Sequence, residues 1–451
     1  MALLASMLGV VVTARVAVAD DPPSFITAWG SHGTGDGQFQ SAWALAVGGD
    51  GDVYVVDDLA GRVQRFTASG AYVSQWGTAG NGDGQFSFPG GIAIDPNDDS
   101  VYVADTFNHR VQKFTSAGAY VTQWGTNGGG EGQFSYPSGI AVDDDGNVYV
   151  PDARSRIQKF DAAGTFLTQW DTLTAGGPGS PEGVAVDDAG NVYVVETSGN
   201  DPFPGNFQGV EKYTSTGDFL TVWGGFGSGS GQFVFPHGIA VDADGHVYVA
   251  DTDNDRIQEF TGTGAYVTQW GTTGSAPGQF RTPFGVATDG ADHVYVADAG
   301  NDRVQEFGPV ARPDGRIRKG ATGAFKGDGV YNTTGAGQTK TGAAARGSTV
   351  SYWVSAQNDA PFADVLRLKG TATTTRFKVT YTAGGVDITP QVVAGTYTTP
   401  VLAPGDAVLI KVVVKVKGTA PAGSVLTGSM IVKSDSDPAR RDTVKFVTRR
   451  A

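Results

Sequence analysis

Apolar and polar residues alternate along most of this 451-residue chain in short runs, and Gly, Asp and Asn separate the runs. Val148 to Val150 and Arg156 to Phe160 are examples. A period of two, bounded by turn residues, predicts β-strands. Glycine supplies 67 residues and aromatic side chains 10% of the chain, which also favours short strands joined by tight turns. The sequence therefore predicts an all-β protein.

The predicted strands recur in units that each end at a tryptophan, 46 to 53 residues apart. After most of these tryptophans comes a glycine-rich loop ending in Gly-Gln-Phe and then a Pro-x-Gly-Ile-Ala-Val-Asp segment, as in Gly132 to Asp143. A hairpin turn and three further strands complete the unit. Four short antiparallel strands repeated in this way are typical of propeller blades. The tryptophans are Trp29, Trp76, Trp124, Trp170, Trp223 and Trp270.

The motifs of these units resemble NHL repeats. Blade 2 carries the pattern most fully, in Gly91 to Asp95 and in Val101 to Arg110. The resemblance covers residues 25–307 and implies a six-bladed β-propeller, to which we assign residues 24–308. The chain begins with an isolated fourth strand, Phe25 to Trp29, and the sixth unit stops after its third strand at Phe307. We therefore predict that the N-terminal strand completes the last blade and leaves no open sheet edge.

Four blades place an aspartate five positions before an arginine, across the loop between the second and third strands. A pair repeated in several blades indicates a structural role, and we expect each pair to hold its loop in place. The pairs are Asp57 and Arg62, Asp105 and Arg110, Asp251 and Arg256, and Asp298 and Arg303.

The repeat pattern ends near Gly308, and residues 309–316 have the composition of a linker. Residues 317–451 contain further predicted strands, of which Val408 to Lys417 is the clearest, with apolar residues on one face and lysines on the other. One buried and one solvated face are typical of a sandwich sheet. With residues 327–332 as its most recognisable stretch, this part resembles the immunoglobulin-like accessory domains of secreted bacterial proteins. The expected fold is a six-bladed propeller followed by a β-sandwich. The sandwich is expected to act as a spacer, an attachment domain or a binding domain.

The N-terminus resembles an export signal. An apolar run from Ala2 to Val12 is followed by the small residues Ala17 and Ala19, which form a cleavage site before Asp20. We assign residues 1–19 to a signal peptide and expect a secreted or cell-surface protein. The alternative is a short uncleaved membrane anchor. No later segment is long and apolar enough to span a bilayer, so no transmembrane segment is expected in the mature chain.

Charge is distributed unevenly between the two parts. Residues 1–310 carry a net charge of −25 and residues 311–451 a net charge of +11, within a total of −14. An acidic propeller repels phosphate backbones, so we expect no nucleic acid partner. The basic part suits an anionic cell-surface polymer, and an ordinary solvated surface is the alternative. The absence of cysteine excludes disulfides, thiolate catalysis and cysteine-bound metal.

We expect one position in each blade to line the mouth of the central channel. This position lies directly before the Gly of the first strand, or before Ala44 in blade 1. The aromatic residues of this set lie on neighbouring blades and face the polar ones, a composition that suits a protein, peptide, glycan or small-molecule ligand. The alternative is that these loop residues have no common role. Blade 4 has an insertion on the same face, Thr197 to Gly209, whose Phe203 and Phe207 we add to the candidate ligand-binding residues. The six mouth residues are Trp43, Gly90, Ser138, Glu182, His237 and Phe284.

An enzyme is the alternative function. Resembling propellers include the peptidylglycine amidating lyases, which hold zinc with histidines from three blades, whereas only His237 occupies this ring. A lyase-like or lactonase-like reaction would use His237 as general base with Glu182 as its partner or as a metal ligand. The Asp-Gly sequences at Asp143 and Asp242 fail the twelve-residue calcium-loop pattern and are expected to be hairpin turns. We therefore predict binding rather than catalysis, with no metal and no cofactor.

Overall fold

The computed structural model describes residues 22–174, 177–178, 180–197, 207–308, 313–320, 325, 338–358, 360, 363–404, 406–436 and 440–451, with only the backbone at 173–174, 177–178 and 313–315. The chain divides into two compact units, Met1–Gly308 and Pro309–Ala451. Each unit consists mainly of antiparallel sheets, as the alternating pattern predicts.

The first unit contains six four-stranded antiparallel sheets, the blades, whose strands follow in order from the channel outwards. Blade 1 consists of Ala42–Val47, Val53–Asp57, Arg62–Phe66 and Tyr72–Trp76. Blade 2 consists of Pro89–Ile94, Val101–Asp105, Arg110–Phe114 and Tyr120–Trp124. Blade 3 consists of Ala141–Val142, Val148–Asp152, Arg156–Phe160 and Phe166–Asp171.

The remaining blades have the same strand order. Blade 4 consists of Pro181–Val186, Val192–Thr197, Gln208–Tyr213 and Phe219–Gly224. Blade 5 consists of Pro236–Val241, His246–Asp251, Arg256–Thr261 and Tyr266–Trp270. Blade 6 consists of Pro283–Thr288, Val294–Asp298, Arg303–Gly308 and the N-terminal strand Ser24–Trp29. Short elements in the loops are the strands Thr78–Ala79, Gln85–Phe86, Leu173–Thr174 and Gly177–Pro178 and the 3₁₀ turns Thr106–Asn108, Thr252–Asn254 and Ala299–Asn301.

The N-terminal strand closes the ring, which confirms the predicted topology. Ser24–Trp29 pairs antiparallel with Arg303–Gly308 as the outer strand of blade 6. The innermost strands of successive blades contact one another, and the first strand of blade 1 contacts that of blade 6. The apolar clusters lie between adjacent blades, so each blade buries side chains against both neighbours. Ring closure is therefore part of the propeller core.

The repeated tryptophans join each blade to the next. Trp76 of blade 1 lies against Gly118 in the outer hairpin of blade 2, where a Cβ atom would come within 2.6 Å of the indole. Gly118 also has a φ of +84°, which favours glycine. Trp29 makes the same contact with Gly70 of blade 1, so the N-terminal strand joins blade 6 to blade 1. This packing explains why tryptophan recurs once per blade.

The predicted Asp–Arg pairs are buried ion pairs. In blade 2, Arg110 Nε donates to Asp105 Oδ2 at 2.7 Å, and the guanidinium also donates to Gln123 Oε1 and to the carbonyl oxygens of Gly82 and Gln85. Each arginine thus ties its own loop to the glycine-rich loop that enters the blade. Blade 3 has a pair that the five-residue spacing missed, Asp152 and Arg156, because its loop is one residue shorter. Blades 1, 5 and 6 repeat the arrangement.

The second unit has two five-stranded sheets that share one apolar core. Its first strand, Pro313–Lys319, begins inside the range predicted as linker. As expected, Ile410, Val412, Val414 and Val416 are buried while Lys411 and Lys415 face outwards. One sheet contains Pro313–Lys319, Thr349–Asn358, Ala407–Val416, Phe377–Ala383 and Val386–Asp387. The other contains Thr339–Ala344, Arg441–Arg450, Val425–Ser434, Leu366–Gly370 and Tyr397–Thr398, and a short helix spans Thr389–Ala394.

Two features are absent from the described residues. No helix there is long and apolar enough to cross a membrane. No group of three or more His, Cys, Asp or Glu side chains in the described ranges is arranged to hold a metal ion.

Candidate functional site

The mouth of the propeller contains a cavity of about 250 Å³ that all six blades line. The six positions expected at the mouth all contribute to its wall. The first-strand glycines bring the blades close together here, since a Cβ atom at Gly238 would lie 2.3 Å from the carbonyl oxygen of Phe284. The structure thus brings the predicted residues together: Trp43, Gly90, Ser138, Glu182, His237 and Phe284.

Three rings form one continuous wall of the pocket. Trp43 and Phe284 are stacked with ring centroids 3.7 Å apart and planes inclined by 21°. His237 meets the Phe284 ring edge-on at 4.6 Å, and its centroid lies 6.3 Å from that of Trp43. The aromatic side therefore extends over blades 5, 6 and 1. His237 of blade 5, predicted on the polar side, is part of this aromatic wall.

His237 is held as a neutral imidazole. Its Nδ1 lies 2.8 Å from the carbonyl oxygen of Phe235, which can only accept, so Nδ1 carries the proton. Thr252 Oγ1 lies 3.2 Å from the same nitrogen and donates to the carbonyl oxygen of Pro283. Burial lowers the pKa of His237 to about 4, against the opposing effect of the Phe235 hydrogen bond. Near neutral pH, Nε2 is therefore an unprotonated acceptor.

Glu182 contributes a carboxyl group with a pKa near neutrality. Burial raises its pKa to about 7, although the hydroxyls of Ser180 and Thr197 donate to Oε1 at 3.3 and 3.4 Å and oppose the shift. No hydrogen bond joins Glu182 to His237 among the described contacts, and the Nδ1 atom of His237 bonds within its own blade. Ser138 uses its hydroxyl to donate to the Pro181 carbonyl oxygen at 2.8 Å, a bond between blades 3 and 4.

A second ring of positions lies directly after the acidic residue at or next to the end of the second strand of each blade, and the repeat pattern did not predict its role. In blades 1 and 2 its members, Asp58 and Thr106, line the pocket. Asp58 Oδ1 and Thr106 Oγ1 are both buried and make no hydrogen bond. Burial raises the pKa of Asp58, and a hydrogen bond with Ser41 opposes the shift. The six positions, one per blade, hold Asp58, Thr106, Ala153, Thr197, Thr252 and Ala299.

Blade 2 opens the pocket towards an aromatic rim. Gly90 has no side chain at the mouth, and a Cβ atom there would lie 2.7 Å from Thr106 Oγ1. Phe88 and Phe107 line the pocket beside this gap with ring centroids 5.1 Å apart, and 48% and 54% of their surfaces are exposed. Tyr136 of blade 3 continues the row at 5.3 Å from Phe107. Phe88 and Tyr136 have φ values of +49° and +54°, and Phe235 and Thr282 have a positive φ at the same position, directly before a proline, so this conformation belongs to the repeat.

The sequence predicts that the insertion of blade 4 supplies Phe203 and Phe207 to the ligand pocket, and the structure does not place Phe207 there. Phe203 lies outside the described residues. Phe207 is described and is not among the residues that line the pocket. Its ring instead covers Gly209, where a Cβ atom would come within 2.5 Å of Phe207 Cζ. Gly209 occupies the position that holds arginine in the other five blades, so Phe207 fills space that an arginine side chain uses elsewhere.

Blade 4 also replaces the buried Asp–Arg–Gln network with two carboxyl groups. Glu196 stands at the aspartate position and Glu211 at the glutamine position, and both are fully buried. Neither oxygen of Glu196 makes a hydrogen bond, whereas Tyr213 donates its hydroxyl to Glu211. Burial and the neighbouring charge of Glu211 raise the pKa of Glu196 to about 8, and Glu182 adds to the effect. Burial likewise raises the pKa of Glu211.

Comparison with known proteins identifies the repeat and the fold. Residues 86–114 and 233–260 match the NHL repeat, in blades 2 and 5. The chain therefore contains NHL repeats and folds as a β-propeller. No curated protein matches the sequence.

Several solved structures are similar to part of this chain. Virginiamycin B lyase from Staphylococcus aureus is 17% identical, with 63% of this chain and 95% of that chain covered and a TM-score of 0.44. A gluconolactonase from Xanthomonas campestris is 14% identical, with 59% and 86% covered and a TM-score of 0.45. A Bacteroides thetaiotaomicron protein of unknown function is 19% identical, with 62% and 74% covered and a TM-score of 0.49.

Proposed function

We propose that this chain is an exported binding protein that takes a small molecule, or a single side chain or sugar unit of a larger peptide or glycan, in the mouth of its propeller. One observation carries the proposal: six positions from six blades converge on one cavity, with stacked aromatic rings on one side and polar groups on the other. Such a composition is typical of ligand pockets. Two buried polar atoms in the wall, Asp58 Oδ1 and Thr106 Oγ1, make no hydrogen bond and suit a ligand that supplies one.

Fluorine NMR of the chain labelled with fluorotryptophan tests this role. Of the eight tryptophans, Trp43 lines the pocket, and its resonance is assigned with Trp43→Phe. The probes are phenethylamine, phenethyl alcohol, phenylpropionate, chitotetraose and the peptide Phe-Ala-Phe. We expect at least one probe to shift the Trp43 resonance saturably. The resonances of the other tryptophans should stay in place. If every probe leaves Trp43 unshifted up to its solubility limit, the proposed pocket role is wrong.

The second unit is proposed as the spacer or attachment domain, acting on an anionic cell-surface polymer. The basic groups around Trp353 support this role, because Lys411 and Arg318 lie 5.6 and 6.0 Å from its ring and Lys415 pairs with Lys378 on the same sheet. Co-sedimentation with a teichoic acid polymer should weaken with added salt and with Lys411→Glu and Lys415→Glu combined. Unchanged sedimentation of that variant would count against an electrostatic attachment.

A lyase or lactonase is the second candidate function. It is favoured by the neutral imidazole of His237 in the same cavity as Glu182, whose pKa of about 7 suits proton transfer near neutral pH. Turnover of a lactone series by the wild type, with loss in His237→Ala, would establish it. A pocket that binds probes without turning over any lactone supports the binding role.

A further inference from the structure

The pocket contains acidic groups but no lysine or arginine among the described residues that line it. The acidic groups, Asp58 and Glu182, lie in its wall. The surrounding part of the chain, residues 1–310, carries a net charge of −25. Negative charge in the wall and around it raises the local concentration of cations and excludes anions.

Asp58 is a buried carboxyl group with an unused acceptor. It is 9% exposed and its Oδ1 makes no hydrogen bond. The equivalent positions of the other five blades hold only Thr or Ala, so blade 1 alone places a carboxyl group here. A buried acceptor without a donor destabilises the protein, and a ligand that donates a charge-assisted hydrogen bond would remove that cost.

Blade 4 has two further buried carboxyl groups near Glu182 and no arginine beside them. In every other blade a buried arginine neutralises the aspartate that ends the second strand. In blade 4, Glu196 and Glu211 occupy the interior and Gly209 stands in place of the arginine. Glu196 interacts electrostatically with Glu182, so the acidic interior extends to the pocket wall. The interior of blade 4 therefore lacks the arginine that would repel a cation beside Glu182.

The aromatic residues provide the complementary surface for an organic cation. Trp43 and Phe284 form the inner wall, and Phe88 and Phe107 form the rim on blade 2. The π-faces of such rings attract ammonium groups and also bury apolar carbon. An inorganic ion would leave this aromatic surface unused.

We propose that the propeller mouth binds an organic ammonium ion, a primary amine with an aromatic or alkyl body. The ammonium group lies against one carboxyl group of the pocket wall, Asp58 or Glu182, and the body packs on Trp43 and Phe284. This inference rests on the proposed binding role and names the chemical class of its ligand.

Three probes of similar size separate charge from shape: phenethylamine, phenethyl alcohol and phenylpropionate, each titrated into the full chain labelled with fluorotryptophan. We expect phenethylamine to shift the Trp43 resonance with an affinity about tenfold or more above that of the alcohol, and phenylpropionate not to shift it. Equal affinity for amine and alcohol would overturn the inference and leave the binding role intact. If none of the probes in the full panel shifts Trp43, the binding role fails as well.

Variants test which carboxyl group is responsible. Asp58→Asn should lower phenethylamine affinity about tenfold and leave the alcohol unchanged. The matched control is Asp144→Asn, which removes an exposed carboxylate outside the pocket and should change neither affinity. Glu182→Gln provides a second variant on the opposite side of the ring. If both pocket variants bind the amine as the wild type does, ammonium recognition by these carboxyl groups is wrong.

Discussion

Replacing Glu211 by glutamine would give blade 4 the amide that the other five blades carry at this position. In blade 2, Gln112 Nε2 donates to Asp105 Oδ2 at 3.0 Å. An amide at 211 would present the same donor to Glu196, whose two carboxyl oxygens make no hydrogen bond in the wild type. The substitution also removes the like charge that raises the pKa of Glu196.

The expected gain in stability depends on pH. With a pKa of about 8 in the folded protein against an ordinary value of 4.5, Glu196 keeps a proton that the unfolded chain releases. Folding stability therefore falls as pH rises from about 4.5 to about 8. Each pKa unit corresponds to about 1.4 kcal/mol, so the loss at pH 8 is on the order of 4 kcal/mol. Glu196 stays buried in the variant, so we expect Glu211→Gln to recover about half of this stability loss at pH 8. That corresponds to a rise of roughly 4 °C in Tm.

Differential scanning calorimetry across this pH range measures the effect. Glu211→Gln should melt above the wild type at pH 8 and close to it at pH 4.5. The control Glu131→Gln removes an exposed carboxylate and should leave both melting temperatures nearly unchanged. A Glu211→Gln variant that is no more stable at pH 8, or that shows the same difference at both pH values, would refute this electrostatic explanation of blade 4.

Three further predictions concern closure, the ion pairs and ligand binding. Deleting residues 24–30 should lower the propeller melting temperature substantially, because Arg303–Gly308 loses its partner strand; an unchanged calorimetric transition would contradict the topology. Arg110→Ala should cost about 3 to 5 kcal/mol in denaturant unfolding, because Asp105 stays buried without its partner; a cost near zero would contradict the ion pair's role. Phenethylamine affinity should rise through about pH 7 as Glu182 ionises, and a flat profile in the wild type would exclude its charge from binding.

The repeat pattern was sufficient to predict the blades, because each structural requirement recurs with a distinctive residue. Trp76 recurs because it packs on a hairpin glycine of the next blade, and Arg110 recurs because it joins two loops. The N-terminal strand was predictable from the incomplete sixth unit. The mouth residues were identifiable because they precede a first-strand glycine in five units and Ala44 in blade 1.

The rest of the site depended on three-dimensional proximity. Asp58 and Thr106 follow the second strand at a position where the residue type varies, so only the assembled ring shows that they face the cavity. The sequence predicts a ligand contact for Phe207 because it is an aromatic residue in an insertion, whereas in the structure its ring covers Gly209. The lack of a hydrogen-bond donor for the Glu196 carboxyl group is evident only when the neighbours of each buried atom are known.

The most direct test of the proposed binding role is the fluorine NMR titration of the labelled chain with the probe panel. We predict that phenethylamine shifts the Trp43 resonance saturably, while the six blade tryptophans and Trp353 keep their positions. The binding role would be contradicted if no probe moved Trp43, or if binding moved only the resonances of tryptophans outside the pocket.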